Sequence, residues 1–65
     1  MEEVVEMLSD LEGQAMMLKK KYMMRMKKDS PENGAFIAIA MDFKKLEDLA
    51  HKGWKTLKKI QESAG

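Results

Sequence analysis

The sequence predicts an all-α fold: an antiparallel two-helix hairpin, with helices over about residues 2–28 and 31–62, that dimerises into a four-helix bundle. Three observations carry this. Apolar and small residues recur three and four apart along two long stretches, the only proline falls between those stretches, and there is no cysteine to staple so short a chain.

The second stretch has the cleaner pattern. Phe36, Ile39, Phe43, Leu46, Ala50, Gly53, Leu57 and Ile60 alternate by threes and fours, the spacing that lines up side chains as a seam on one helix face. The first stretch repeats it through Met1, Val4, Leu8, Leu11, Ala15, Leu18 and Tyr22 before the pattern meets Arg25. One continuous helix follows, roughly 40 Å long. Gly13 weakens it by about 1 kcal/mol relative to alanine, and Ser9 to Glu12 has capping-box spacing that suits a shorter helix starting at Ser9. The seam keeps its phase across Gly13, which favours the longer helix.

Between the stretches, Lys27 and Lys28 suit the carbonyl end of a helix and Asp29 breaks the run. Ser30-Pro31-Glu32 then reads as N-cap, proline at the first helical position and an acid in the first turn. A link of two or three residues makes the helices antiparallel neighbours. Asn33-Gly34 offers a later start, at Ala35. Folding the chain at Asp29 and Ser30 sets Val4 against Ile60, Leu8 against Leu57, Leu11 against Trp54, Ala15 against Ala50, Leu18 against Leu46 and Tyr22 against Phe43. The acids of residues 2–12 then face Lys52, Lys55, Lys58 and Lys59.

Sixty-five residues make a single domain, 1–65, with little capacity to bury surface. A core of this size seldom supplies more than about 3–5 kcal/mol without a staple. Disulfides and thiolate zinc sites are excluded by the absence of cysteine, and one histidine argues against an all-protein metal site. Self-association remains. No window approaches the roughly 18 apolar residues of a membrane span, and Glu2 and Glu3 are wrong for a secretory signal, so a cytoplasmic protein is expected.

Once the seam is subtracted, a second apolar surface is left near the turn. Met16, Met17, Met23 and Met24 fall away from the seam, and residues 35–41 are apolar all the way round. Two helices cannot bury both features for each other. The expected contact surface is therefore Met16, Met17, Met23, Met24, Ile37, Ala38 and Met41, with Trp54 as an aromatic anchor whose simpler role is core. A second copy is the expected occupant. The flexible, polarisable methionines also suit another protein's helix, and a membrane surface ranks third.

The formal charge is only +1, yet it is unevenly spread: residues 1–18 hold five acids and no base, and residues 19–28 hold six bases and no acid. Lys19, Lys20, Lys21, Arg25, Lys27 and Lys28 thus support an alternative function, a small nucleic-acid-binding regulator. Tyr22 is the one aromatic in that cluster and the seam already uses it, which leaves no stacking platform. Glu47, Asp48 and His51 have the spacing of half a carboxylate-bridged metal site, but the heptad turns Asp48 and His51 outward. No nucleophile, base and orienting group come together in sequence, and no glycine-rich loop follows a strand. The sequence therefore predicts a non-enzyme with no cofactor.

Overall fold

A computed structural model of the protein describes residues 2–64, which form two helices, α1 (Glu2–Met24) and α2 (Asn33–Ala64), joined by residues 25–32. Met1, at the head of the expected seam, lies outside the described residues. The helices pack lengthwise in a rod of 54 × 13 × 11 Å. Glu2 and Glu3 stand in the first turn of α1 and Lys21 in its last, each complementing the helix dipole. α1 passes through Gly13 without a break, so the shorter helix from Ser9 is not adopted.

The helix ends differ from the sequence expectation, and the turn explains why. α1 stops at Met24, four residues early, where the seam itself gives out at Arg25. Three-residue bonds tighten its end: Arg25 N–H donates to the Tyr22 carbonyl at 3.2 Å and Met26 N–H to the Met23 carbonyl at 3.3 Å. Asn33 then closes the turn. Its Nδ2 donates to the Lys27 carbonyl at 2.6 Å, and its Oδ1 accepts from Lys27 N–H at 3.1 Å. Backbone groups of the turn are thereby paired by a side chain of α2. Lys27 and Lys28 stand in this turn and not at the helix end.

Ser30 Oγ accepts from Glu32 N–H at 3.3 Å, while the Ser30 carbonyl accepts from Asn33 N–H at 3.2 Å. Pro31 is carried through that turn, and α2 begins at Asn33, two residues later than the cap reading placed it. At its far end α2 continues to Ala64, two residues beyond the expected limit. Asp29 takes a left-handed conformation, with φ at 61°, which lets the chain reverse.

The predicted register holds at Tyr22 and Phe43, whose ring centroids lie 5.8 Å apart, while Leu8, expected opposite Leu57, meets Gly53. Ala15 and Ala50 are both buried. Leu8, Ala15, Tyr22, Phe36, Phe43, Ala50 and Leu57 keep their expected places in the seam, and the positions between them shift by one residue. The least exposed positions run through Val5, Leu8, Glu12, Ala15, Lys19 and Tyr22 on α1, and through Phe36, Ala40, Phe43, Glu47, Ala50, Trp54, Leu57 and Gln61 on α2. Val4, Leu11, Leu18, Leu46 and Ile60, expected in the seam, each fall one residue before a facing position and remain exposed. Glu12, and not Leu11, meets Trp54.

The pairs Glu12 with Trp54 and Lys19 with Glu47 account for the shift. With Ala15, Ala40 and Ala50 in the interface the backbones lie close, and the long side chains at 12, 19, 47 and 54 bury their stems while their polar ends find partners at the rim. The buried apolar residues are Val5, Ala15, Ala40 and Ala50, and no large side chain is fully buried among the described residues. Among those residues the early acids also make no ion pair with Lys52, Lys55, Lys58 or Lys59. Lys55 and Lys58 instead lie 5.7 and 5.8 Å from the Trp54 ring centre.

Gly13 has nothing within 4 Å of the point where a Cβ would stand. Gly13→Ala should therefore stabilise the fold by about 1 kcal/mol through helix propensity alone. A higher thermal midpoint by circular dichroism is the expected outcome; an unchanged or lower one would mean that Gly13 is needed for close approach.

Candidate interaction surfaces

The flanks of the hairpin follow from the facing positions. One residue is about 100° of helix rotation, so the residue after each facing position turns to one flank and the residue before it to the other. In an antiparallel pair, forward steps on both chains reach the same flank. Met16, Met23, Ile37 and Met41 follow Ala15, Tyr22, Phe36 and Ala40, and they gather on one side near the turn. Met23, Ile37 and Met41 line a shallow groove of about 260 Å³ between the helices, with Ala40 at its floor and Lys19 and Lys44 at its rim.

The other expected contact residues are divided. Met17 and Met24 sit on the back of α1 beside Lys20, Lys21 and Arg25, and both are largely in solvent. Ala38 is exposed on the back of α2. Trp54 is half-buried in the hairpin seam, where its indole N–H donates to Glu12 Oε1 at 2.6 Å. The structure thus joins four of the eight expected residues into one surface.

Toward the middle, the same flank is polar. Glu12 lies 3.1 Å from His51 Nδ1, and the His51 ring meets Trp54 edge-on with centroids 5.2 Å apart. Glu47 accepts from Lys19 at 3.0 Å and from Lys44 at 3.2 Å, and Lys44 also donates to Asp48 at 2.9 Å. The Trp54 indole N–H, then His51, hold the Glu12 carboxyl below its ordinary range against a smaller opposing effect of burial. Lys19, then Lys44, do the same for Glu47. Asp48 first and Glu47 second hold the Lys44 ammonium above its usual value.

These pairings also engage the groups that the sequence offered for other chemistry. Glu47, Asp48 and His51 bond to Lys19, Lys44 and Glu12, and the described residues contain no cluster of three or more His, Cys, Asp or Glu able to hold a metal. The basic run does not form one face either. Lys19 is drawn into the pair with Glu47, Arg25 stands 5.7 Å from the Tyr22 ring centre, Lys20 and Lys21 flank the back of α1, and Lys27 and Lys28 lie in the turn. No helix among the described residues is long and apolar enough to cross a membrane.

No protein-family model, curated protein or solved structure matches this sequence. Sequence reasoning missed the group formed by Glu12, His51 and Trp54, whose signal lay in the i, i+3 spacing of His51 and Trp54 opposite an acid. It also placed Leu11, Leu18 and Leu46 inside the seam, where the structure has them on the outer flank.

The pH dependence follows from the depressed carboxyls. Glu12 and Glu47 stabilise the hairpin above the ordinary glutamate range, and that contribution is lost as pH falls through their lowered values. Lys44, raised in the fold, contributes below the usual lysine range and loses its effect only as pH rises above it. The thermal midpoint should therefore fall below about pH 4, and Glu12→Gln should flatten that acid limb. An identical gap between variant and parent at pH 7 and pH 3 would show that the Glu12 charge is not responsible.

Proposed function

We propose that the chain is a non-enzymatic assembly module: a helical hairpin that self-associates into a dimeric four-helix bundle and offers its methionine-rich face near the turn to a protein helix. The thinness of the single-chain interior carries this reading. Its buried apolar residues are one valine and three alanines, and the hairpin leaves 5254 Å² accessible to solvent. A compact protein of 7.5 kDa exposes about 4,200 Å². The excess, about 1,000 Å², is close to the roughly 800 Å² that each partner buries in a standard interface.

The groove around Met23, Ile37 and Met41 supports the second half of the reading. Thioether side chains adapt to varied apolar surfaces, and a lysine on each helix frames them. The nucleic-acid alternative has less support, since Lys19 is engaged by Glu47 and the remaining bases point in several directions.

Sedimentation at micromolar concentration should give about twice 7.5 kDa; a folded monomer would overturn the assembly reading. The anionic dye 8-anilinonaphthalene sulfonate reports on the methionine groove. Met23→Glu with Met41→Glu should cut its fluorescence several-fold while helix content is kept, and equal fluorescence would remove the groove as a contact surface.

A further inference from the structure

The flank opposite the methionines is the longer apolar surface. Val4, Leu11 and Leu18 precede the facing residues Val5, Glu12 and Lys19, and Leu46, Leu49 and Ile60 precede Glu47, Ala50 and Gln61. All six are exposed, Leu49 the most at 67 %. Between residues 4 and 18 on α1, the positions on this flank are Val4, Met7, Leu11, Gln14 and Leu18. Between 46 and 60 on α2 they are Leu46, Leu49, Gly53, Thr56 and Ile60. None is charged, and the ribbon is bounded toward the turn by Lys21 and Asp42, which precede Tyr22 and Phe43. Over the same two stretches the other flank carries Glu6, Asp48, His51, Lys55 and Lys58.

We infer that this uncharged ribbon is the seat of a second copy of the chain, packed in the reverse direction, with its two-fold axis passing close to Leu11. The inference rests on the self-association reading and adds which surface the copy occupies and which way it points. Reversal about Leu11 sets Val4 of one hairpin opposite Leu18 of the other, and Leu46 opposite Ile60, so apolar residues meet apolar residues along the ribbon. A two-fold interface of this kind must be complementary to itself, and this one is.

Charge fixes the direction. The turn half of the hairpin, residues 16–47, carries eight bases against four acids, and the open half carries seven acids against four bases. A copy pointing the same way would stack two positive ends together and two negative ends together. A reversed copy brings Lys19, Lys20 and Lys21 of one hairpin toward Glu2 and Glu3 of the other. Such exposed charges select orientation more than they add affinity.

In this arrangement the methionine flank stays outside the dimer interface. The sequence pattern had seated the copy there; the structure exposes a longer surface on the opposite side, uncharged from Val4 to Leu18 and from Leu46 to Ile60.

Single-cysteine variants, oxidised at micromolar concentration, test the seat and the direction together. Leu11→Cys alone should give a disulfide-linked dimer in high yield, and Met23→Cys should give little. Cross-linking through Met23→Cys but not Leu11→Cys would place the copy on the methionine flank and overturn this inference while sparing self-association. Cross-linking of a mixture of Leu18→Cys and Leu46→Cys, with none for Leu11→Cys alone, would overturn the reversed direction. A parent chain that sediments as a folded monomer would overturn both this inference and the assembly reading. Leu11→Glu with Leu49→Glu should lower the sedimenting mass by half or unfold the chain, whereas a folded dimer would refute the seat.

Discussion

The structure depends on how closely two helices approach where their facing residues are alanine. Ala15, Ala40 and Ala50 fill the middle of the interface, and Gly53 takes the end of Leu8 against its backbone. Close approach maximises backbone contact but buries few side-chain carbons. A hairpin closed on alanine therefore has a defined register and a thin interior, and its larger aliphatic residues are displaced to the edges. Burying a leucine is worth about 1.5–3 kcal/mol, and the exposed Leu11, Leu18, Leu46 and Leu49 leave that stabilisation unused by the single hairpin.

The two edges have different chemistry. On one, the carboxylates of Glu12 and Glu47 collect donors from Trp54, His51, Lys19 and Lys44, which fixes the rotation of both helices by hydrogen bonds at the rim. On the other, the positions from Val4 to Leu18 and from Leu46 to Ile60 are apolar or uncharged, and charge returns only at Lys21 and Asp42. Scattered apolar residues on a rod would need no explanation; a long uncharged stretch along one flank is a surface suited to another apolar surface.

Fold class, register and helix direction were legible in the sequence because each depends on spacing. Threes and fours mark a helix whatever it packs against, and Tyr22 opposite Phe43 needs only the position of the turn. The one-residue shift at alternate positions was not legible, since the apolar pattern runs through Leu11, Leu18, Leu46 and Ile60, whereas the structure turns Glu12, Lys19, Glu47 and Gln61 inward there. A stripe through Leu11 and Leu18 and a stripe through Glu12 and Lys19 differ by one residue, and hydrophobicity alone favours the first. Bonds of Glu12 and Lys19 to the other helix, which no periodicity reports, decide for the second. The turn was misjudged for a related reason. Ser30-Pro31-Glu32 has the composition of a helix start, but Asn33 reaches back to Lys27, and that contact sets where α2 begins.

Asn33 and Lys27 are only six residues apart. Ends so near in sequence meet within tens of nanoseconds, well before contacts spanning forty residues can assemble. Direction is thus given to the second helix by a local event, independent of the rest of the chain. The place where the chain doubles back is therefore set by a few adjacent residues, separately from the packing along the rod.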